Sequence, residues 1–588
     1  MASRPRRAPR KQTPAASISA ASSADFSDLS SSDGSSNDAG SSDFSSDDDT
    51  SAQGPQTSTS ACRASTTYGR DTLPNASRRV KFLPTRQPGA YVGAVMRSDA
   101  RRFCRALDFF LLFFTTEVIK TVCENTNKYA WMNILGKQTY SRRDGSWEEV
   151  TPLEMLRLIG LIIYMGLVEV PRLHLYWRTT GTFSGLLPPT VMRRDRFFAL
   201  LAFPSVGDPE DAAAAASDGK TWRVSWLLRH INEQSVNFFQ PQRDLSVDER
   251  MVKSKARSGI RQYIRDKVTK FGYKLWVLAD SKTGYTLQFF VYTGKREAPG
   301  PHGLAFDVVN RLCTQYLDQG YKIYMDNFYT SAKLFEHLIQ RKTLACGTTR
   351  KDRRCFPAEL KDTAWEKRAQ RGDIRWIRKG SILYMQWKDR RAVNLMSTMH
   401  TANQHVPAKR RERRGGQWAL KVIKKPLLVH EYNAGMLGVD KSDQIIGTYN
   451  VLRKCVRWWK TLFFHSIDIA CVNSFILFQE HRKNNPEVPE LSRSIYFDQL
   501  AFREELIHQI FDYDEVAQGH APISPPFAPL DPVRHQPKRM DKRRNCKICY
   551  EKTKTQNRTS VYCSTCKVYL CFVPSRDCFA EWHSRQGR

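Results

Sequence analysis

The spacing of apolar residues changes along this chain, and the changes separate regions of different secondary structure. From about residue 101 to 235 apolar residues recur at helical spacing, as in TPLEMLRLIGLIIYMGLV, where Thr151 and Glu154 have the spacing of a capping box. From Leu245 the period is that of β-strands, and YKLWVLADSKTGYTLQFFVYTG predicts two strands joined by a turn. Short strands and helices then alternate, which predicts an α/β or α+β layer structure.

The net charge of the chain restricts its partners. The 588 residues include 92 Lys or Arg and 59 Asp or Glu, which gives a formal net charge of +33 and indicates a polyanionic partner. The longest apolar run covers the eleven residues 158–168, about half of what a membrane span needs, so we expect no membrane segment. Because the amino terminus has no apolar signal region, we expect a reducing compartment in which cysteines are free thiols or metal ligands.

Composition divides the chain further. Residues 1–95 are rich in Ser, Asp, Ala and Pro and are expected to be disordered. Residues 351–425 interrupt the alternation of strands and helices with basic and strand-like sequence, and we interpret them as an insertion. The other predicted segments are helical regions at 96–240 and 445–515, the α/β domain at 241–350 and 426–444, a Pro-rich linker at 516–534 and a cysteine-rich domain at 535–588.

The cysteine-rich end predicts a metal site, because six of the 14 cysteines lie between residues 546 and 578. Two CxxC pairs separated by thirteen residues are typical of a zinc ribbon or a cross-brace domain, and free or redox thiols are the alternative. Bound metal would supply folding energy that so short a segment cannot obtain from an apolar core. The candidate ligands are Cys546, Cys549, Cys563, Cys566, Cys571, Cys578 and His583.

Basic segments are candidates for DNA contact. The segment 453–465 interleaves cations with Trp458 and Trp459, which suits a DNA-facing helix or a helix with a buried aromatic face and a solvated basic one. The run 408–416 is either a phosphate-contacting loop or a nuclear localisation signal, and 538–544 also suits such a signal, so we expect a nuclear protein. The predicted DNA-binding residues are Arg453, Lys454, Arg457, Lys460, Lys538, Arg539, Lys542, Arg543 and Arg544.

Aspartates at the ends of predicted elements are candidates for a second metal site. Asp248 lies at the start of the β region, Asp326 ends the strand YKIYMD, and Asp440 and Asp443 share one face of a later helix. Three such carboxylates can hold two divalent ions about 3.5–4 Å apart for phosphoryl transfer. Spacing alone does not select these residues, because other aspartates of the β region have similar positions.

The sequences around these aspartates select them. SVDERM, IYMDNFYTS, CGTTRK and YNAGMLGVDKSDQ occur in this order, and together they resemble the piggyBac family of cut-and-paste DNA transposases. The resemblance covers about residues 100–485 and 535–583. It implies an RNase H-like catalytic domain with an insertion, embedded in an α-helical dimerisation and DNA-binding domain, followed by a small C-terminal zinc-binding cross-brace domain.

The resemblance also implies roles for individual residues. By position, Asp248, Asp326 and Asp440 match the family's three catalytic carboxylates, and Asp443 matches a fourth acidic position that activity requires. The implied cofactors are two Mg²⁺ ions on the first three and two structural Zn²⁺ ions, with His535 as the eighth zinc ligand. The implied enzyme is a homodimer that binds double-stranded transposon ends, cuts them through hairpins and integrates at TTAA.

Two other functions fit the same sequence. A host-retained, transposase-derived DNA-binding or chromatin protein would keep the fold without mobility. A ubiquitin-ligase-like zinc module on an inactive scaffold would use the tail alone, because the shape of a zinc cross-brace does not specify its role. The complete acidic set favours the transposase.

Overall fold

The computed structural model describes ten stretches of the chain, and the predicted tail up to residue 69, the linker 516–534 and His535 lie outside them. The described residues are 70–92, 103–134, 147–265, 267–294, 300–414, 417–513, 537–554, 556–563, 566–573 and 576–585. They form a mixed α/β structure, as predicted.

The first region is helical. Its helices are α1 (Asn75–Arg78), α2 (Ala106–Phe110), α3 (Thr116–Ile134), α4 (Pro152–Leu167), α5 (Pro188–Val191), α6 (Arg194–Ala202), α7 (Ala212–Ser217) and α8 (Trp222–Phe238). The predicted start of α4 is confirmed, because Thr151 Oγ1 accepts a hydrogen bond from the Glu154 N–H at 3.2 Å. Pro152 suits the first helical position, where its missing N–H costs nothing.

The disorder predicted for residues 1–95 is wrong for 70–92, which the structure shows packed on the body. The carboxylate of Asp71 accepts two hydrogen bonds of 2.7 Å from Arg378. The Arg86 guanidinium donates to the carbonyls of Val236 and Asn237. This segment is held by polar contacts with distant residues, and its low apolar content therefore hid its order.

Apart from β1, which lies between α1 and α2, the strands of the central region begin after α8. They are β1 (Gly89–Ala90), β2 (Phe239–Gln240), β3 (Asp244–Lys253), β4 (Gln262–Tyr263), β5 (Phe271–Asp280), β6 (Thr286–Val291), β7 (Lys322–Met325), β8 (Leu344–Thr348), β9 (Ile374–Lys379), β10 (Ile382–Lys388), β11 (Ala392–Ser397), β12 (His405–Arg414) and β13 (Gln417–Pro426). The two-residue strands β1 and β2 pair with each other, and β12 pairs with β13 in a separate ribbon.

Nine of these strands form one sheet in the order β4-β5-β3-β7-β8-β11-β10-β9, with β6 also paired to β5. β3, β7 and β8 are parallel, and the other pairs are antiparallel. The stretch 351–425, predicted as an insertion, contributes to this sheet, because β11 pairs with β8. Only its last two strands, β12 and β13, form a ribbon outside the sheet.

Helices cover the sheet and complete the helical region. They are α9 (Leu304–Cys313), α10 (Ala332–Gln340), α11 (Thr363–Arg368), α12 (Leu427–Gly435), α13 (Gly438–Thr448), α14 (Trp458–Asn484) and α15 (Gln499–Phe511). Of the described helices, α14 alone has the length and apolar composition of a membrane span, but 94% of that window is buried within the structure. Burial in the protein core thus accounts for its apolar character.

The cysteine-rich end forms small elements of its own. They are β14 (Pro537–Asn545), α16 (Lys547–Thr553), β15 (Arg558–Cys563), β16 (Val568–Tyr569), β17 (Phe572–Val573), β18 (Arg576–Asp577) and α17 (Cys578–Arg585). The apolar cluster in these elements consists mainly of cysteines, with Ile548, Leu570 and Phe579. So few apolar side chains are typical of a domain that depends on metal.

Helix α13 lies very close to β3 and β5, and Gly438 allows this approach. A Cβ atom at Gly438 would lie 2.4 Å from Ser246 Oγ, 2.9 Å from Ser281 Cα and 3.0 Å from the Asp280 carbonyl oxygen. Two of these neighbours are backbone atoms that a rotamer change cannot move. The absence of a side chain here therefore sets the distance between α13 and the sheet.

We expect Gly438→Ala to lower the free energy of unfolding by about 2 kcal/mol, because the added methyl overpacks a backbone contact. Gly447→Ala is the matched control, since Gly447 is exposed in the same helix and no atom would lie within 4 Å of its Cβ. The control should be neutral or stabilising by up to about 1 kcal/mol. Urea denaturation of the full chain measures both, and equal stabilities of the two variants would contradict the prediction.

Candidate active site and metal centre

The parallel pairing of β3 with β7 brings Asp248 next to Asp326. Val247 of β3 pairs with Met325, the last residue of β7. The residue that follows each of them in the chain is an aspartate: Asp248, which is still part of β3, and Asp326, which directly follows β7. The Phe328 N–H donates to Asp326 Oδ1 at 2.9 Å and fixes this carboxylate at the end of its strand. Asp248 and Asp326 thus occupy neighbouring backbone positions where the parallel pairing of β3 with β7 ends.

Helix α13 supplies the third carboxylate. Asp440 lies in its first turn, and the Val439 N–H donates to Ser246 Oγ at 3.1 Å. Ser246 and Asp248 are two residues apart on β3 and therefore project from the same face of the sheet. The contact that Gly438 permits thus places Asp440 over the face that carries Asp248.

Burial destabilises the anionic form of Asp248, Asp326 and Asp440 and so raises their pKa values. Burial and the neighbouring charges of Glu249 and Asp326 together raise the pKa of Asp248 to about 7. Burial and Glu249 raise the pKa of Asp326, whereas burial and Asp443 raise that of Asp440. Each of the three would be more stable as an anion beside a cation.

Lys267 is the cation that these three aspartates share. Its charge lowers the pKa of Asp248, Asp326 and Asp440, although less than burial raises each. Its Nζ lies 3.5 Å from Glu249 Oε1, and the acidic neighbours raise its own pKa despite burial. Sequence reasoning did not predict Lys267 as a site residue.

The donor set suits a hard divalent cation, because it consists of carboxylate oxygens. Among the described residues, however, the three aspartates do not form a group whose ligand atoms all lie within 4.8 Å of one another. Their mutual repulsion and raised pKa values are the electrostatic conditions that bound cations relieve. The chemistry of the donors therefore fits the predicted metal.

Asp443, the fourth predicted acidic residue, has a different environment. Its carboxylate accepts a hydrogen bond from Arg250 Nε, and Arg250 Nη2 also donates to Ser442 Oγ at 2.8 Å. Arg250 is 2% exposed and lies on β3, two residues after Asp248. Asp443 thus neutralises a buried arginine and ties α13 to β3. Sequence reasoning missed Arg250, because β3 contains other charged residues and this arginine gives no separate signal.

Two of the predicted DNA-binding residues are used inside the protein, which corrects the prediction for them. Lys460 is 8% exposed, burial lowers its pKa to about 7, and its Nζ donates to the carbonyls of Leu201 and Ala202 at the end of α6. Arg453 Nη2 donates to the Met165 carbonyl and to the Tyr176 hydroxyl. Both cations therefore stabilise the helical region, and phosphate cannot reach the Lys460 ammonium.

The other predicted cations face outward. Lys454 and Arg457 are exposed just before and at the start of α14. The run predicted as a basic stretch before the zinc ligands is strand β14, which pairs with β15. Its exposed cations are Lys538, Arg539, Lys542, Arg543 and Arg544.

The seven described cysteine and histidine candidates form two groups. Cys546, Cys549, Cys571 and Cys578 have ligand atoms within 4.8 Å of one another, and so do Cys563, Cys566 and His583. In the first group Cys549 Sγ lies 3.9 Å from Cys571 Sγ and 3.6 Å from Cys578 Sγ. In the second, His583 Nε2 lies 3.4 Å from Cys563 Sγ and 3.5 Å from Cys566 Sγ.

These separations fit tetrahedral zinc, because ligands about 2.3 Å from a common ion lie about 3.8 Å apart. The first CxxC pair joins the last two cysteines, and the second pair joins His583. The groups therefore alternate along the chain, as in a cross-brace. The predicted ligand His535 lies outside the described residues.

Comparison with known proteins agrees with this architecture. The family model described as transposase IS4 matches residues 105–475. Human piggyBac transposable element-derived protein 3 is 27% identical over 394 residues, which cover 65% of this chain and 63% of the relative. Human piggyBac transposable element-derived protein 2 is 26% identical over 456 residues, which cover 75% of this chain and 72% of the relative. The match to the first relative thus spans less than two thirds of that protein's length.

A solved structure shares the fold. It is a cryo-EM structure of a piggyBac transposase synaptic complex with hairpin DNA, with a TM-score of 0.61 and 21% sequence identity. The similarity covers 83% of this chain and 98% of that chain.

The raised pKa of Asp248 gives a pH dependence of stability. Because the folded chain holds this proton up to about pH 7 and the unfolded chain releases it near pH 4, the free energy of unfolding falls as the pH rises between these values. We expect Asp248→Asn to be more stable than the wild type by about 1–2 kcal/mol at pH 7.5 in magnesium-free buffer. This difference should shrink towards pH 4.

Urea denaturation of the full chain at several pH values measures the effect. Asp195→Asn is the control, because the Asp195 side chain is 86% exposed and its removal should give no such pH-dependent gain. A difference between Asp248→Asn and the wild type that does not change with pH would contradict the assigned pKa.

Proposed function

Since the chain belongs to the piggyBac family, we propose that it is a metal-dependent DNA transposase that cuts transposon ends through hairpins and integrates at TTAA. The observation that carries this proposal is the placement of Asp248 on β3 and of Asp326 directly after the parallel strand β7, with Asp440 in the first turn of α13, which contacts β3. Four acidic positions of the family are acidic here, which supports an enzyme rather than a binding scaffold.

The catalytic domain that we propose is RNase H-like. Its strands are β6, β5, β3, β7 and β8, in which three antiparallel strands are followed by two parallel ones. Residues 351–425 interrupt this domain as an insertion whose strands β9–β11 extend its sheet. Helix α13 then returns to β3 and completes the domain with Asp440.

Phosphoryl transfer requires positioning and charge neutralisation. Two Mg²⁺ ions, when bound, would activate the attacking oxygen and stabilise the leaving one. The protein contributes Asp248, Asp326 and Asp440 to hold them, and the Arg250–Asp443 ion pair keeps α13 on β3. Lys267 adds positive charge beside these carboxylates and can attract a phosphate to the same place. Water attack would free a 3′ hydroxyl, which then attacks the opposite strand to form a hairpin.

The DNA surface that we propose consists of outward cations. Lys454 and Arg457 serve the helical region, and the exposed cations of β14 contact phosphate from the C-terminal domain. The structural relative is a synaptic complex with hairpin DNA, which supports hairpin cleavage and a homodimer that joins two ends. Such a protein would act in the nucleus, where the basic runs 408–416 and 538–544 would direct it.

A second candidate function is a DNA-binding protein without mobility. The human relatives are named as transposable element-derived proteins, and such a protein could keep the fold after transposition is lost. An excision assay with ends taken from the flanking genomic DNA separates the two. Precise loss of the element supports the transposase, whereas end binding without cutting by the wild type supports the retained DNA-binding protein.

We expect Asp326→Asn to abolish cleavage of transposon ends in Mg²⁺, by about 10³-fold or more, and to leave end binding unchanged. An amide oxygen can still accept the Phe328 N–H, so the fold is preserved while the negative charge is lost. Asp352→Asn is the control, because its side chain is 69% exposed. Gel analysis of labelled ends measures cutting, and an Asp326→Asn variant that still cuts would remove this residue from the site.

In our proposal the C-terminal domain holds two structural Zn²⁺ ions, one in each cysteine group, with the predicted ligand His535 as the fourth ligand of the group formed by Cys563, Cys566 and His583. We expect the full chain to contain two zinc ions and Cys578→Ser to contain one, because three remaining ligands bind zinc weakly. Cys355→Ser is the control, since Cys355 is an exposed thiol outside both groups. Atomic emission spectrometry measures the stoichiometry, and equal zinc contents of the two variants would contradict the assignment.

A further inference from the structure

Strands β12 and β13 form a long ribbon outside the main sheet. Ten residues of each strand pair in antiparallel register, from His405 with Pro426 to Arg414 with Gln417. At about 3.4 Å per residue, the ribbon is about 30 Å long. It is anchored at its base, where Ile423 is 5% exposed and the Leu427 N–H donates to the Gln404 carbonyl at 2.9 Å.

One face of the ribbon carries a row of solvent-exposed apolar side chains. Trp418, Leu420 and Val422 alternate along β13 and therefore share a face. Their exposed fractions are 68%, 68% and 63%. Scattered apolar residues are normal on a surface, but three in one row on a projecting ribbon indicate a binding surface.

A row of cations runs beside this apolar row. Directly opposed residues of an antiparallel pair project from the same face, and the register pairs Arg413 with Trp418, Arg411 with Leu420 and Lys409 with Val422. The sequences of the two strands contain eight Lys or Arg residues and one Glu. We define the six residues of these three register pairs, Lys409, Arg411, Arg413, Trp418, Leu420 and Val422, as the ribbon face.

We propose that the ribbon face binds duplex DNA by lying in the major groove. That groove is about 12 Å wide and admits a two-stranded β-ribbon. In this position the cations Lys409, Arg411 and Arg413 contact phosphates, while the apolar row lies over base edges, where thymine methyl groups offer apolar contact. This inference rests on the proposed DNA binding but requires neither strand cleavage nor the aspartate site.

The charge of the ribbon selects this occupant over a second copy of the chain. Two ribbon faces packed on each other would bring their rows of cations together, and that repulsion would oppose the gain from apolar burial. DNA satisfies both rows, because it presents phosphates at the edges of a groove and less polar base surface at its floor.

The cationic row is tested by the salt dependence of DNA binding. The probe is a fluorescent duplex of about three helical turns with a central TTAA, bound by the full chain in magnesium-free buffer so that no cutting occurs. The double variant Lys409→Gln/Arg411→Gln should reduce the slope of log affinity against log salt by about 2, since each phosphate contact contributes about 0.9. Lys333→Gln/Lys367→Gln is the charge-matched control, because both residues are exposed on helices outside the ribbon.

The apolar row is tested at constant salt. Trp418→Ala/Leu420→Ala should weaken binding by about fivefold or more without changing the salt slope, because no phosphate contact is lost. Ile495→Ala/Tyr496→Ala is the matched control, since these residues are 87% and 84% exposed and lie outside the ribbon. A photo-crosslinking residue in place of Leu420 should form an adduct with the DNA strand.

The outcomes separate this inference from the proposed function. If the wild type binds the duplex and both ribbon variants bind it with unchanged affinity and slope, the ribbon inference fails and the proposed function stands. A crosslink from position 420 to a second copy of the chain, and none to DNA, would also overturn it. If the wild type does not bind DNA at all, the proposed function and the ribbon inference both fail.

Discussion

The contact between β3 and α13 is the interaction on which the candidate site depends. Gly438 and Ser246 allow the helix to approach the strand, and the ion pair of Arg250 with Asp443 holds it there. A buried arginine is costly without a partner, so the strand requires an acidic residue on the facing helix. The same helix carries Asp440, and the requirement for charge compensation thus fixes the position of a candidate metal ligand.

The sequence predicted the parts of the fold that depend on local patterns. Alternating apolar residues gave β3, β5 and β6, and an aspartate at a strand end led to Asp326. Contacts between distant residues had no such signal: the ion pair of Asp71 with Arg378 orders a segment of low apolar content, and β11 joins β8 across the predicted insertion. Whether a cation of a basic helix faces solvent or the protein interior likewise depends on the elements that pack against it, as for Lys460 of α14.

The positions of the basic residues show why composition gives the net charge of the chain but not which cations lie on its surface. Lys460 lies against the last carbonyls of α6, where a helix end carries partial negative charge, and burial lowers its pKa. Arg503 and Asp468 form a fully buried pair with a separation of 3.7 Å. Cations of this kind join helices, and the exposed cations that remain for a polyanion include those of β14, of the segment before α14 and of the β12–β13 ribbon.

The C-terminal cysteine groups and the aspartate site differ in how far the arrangement of their ligands depends on a bound metal. The cysteine and histidine side chains of each C-terminal group already lie at separations that suit one metal ion, in a domain that has few apolar side chains and would gain folding energy from bound metal. The aspartates belong to a large sheet with an extensive apolar core, so the fold does not depend on contact between their carboxylates. The repulsion between these carboxylates would be relieved when a divalent cation binds, and the bound cation would in turn attract the reacting phosphate.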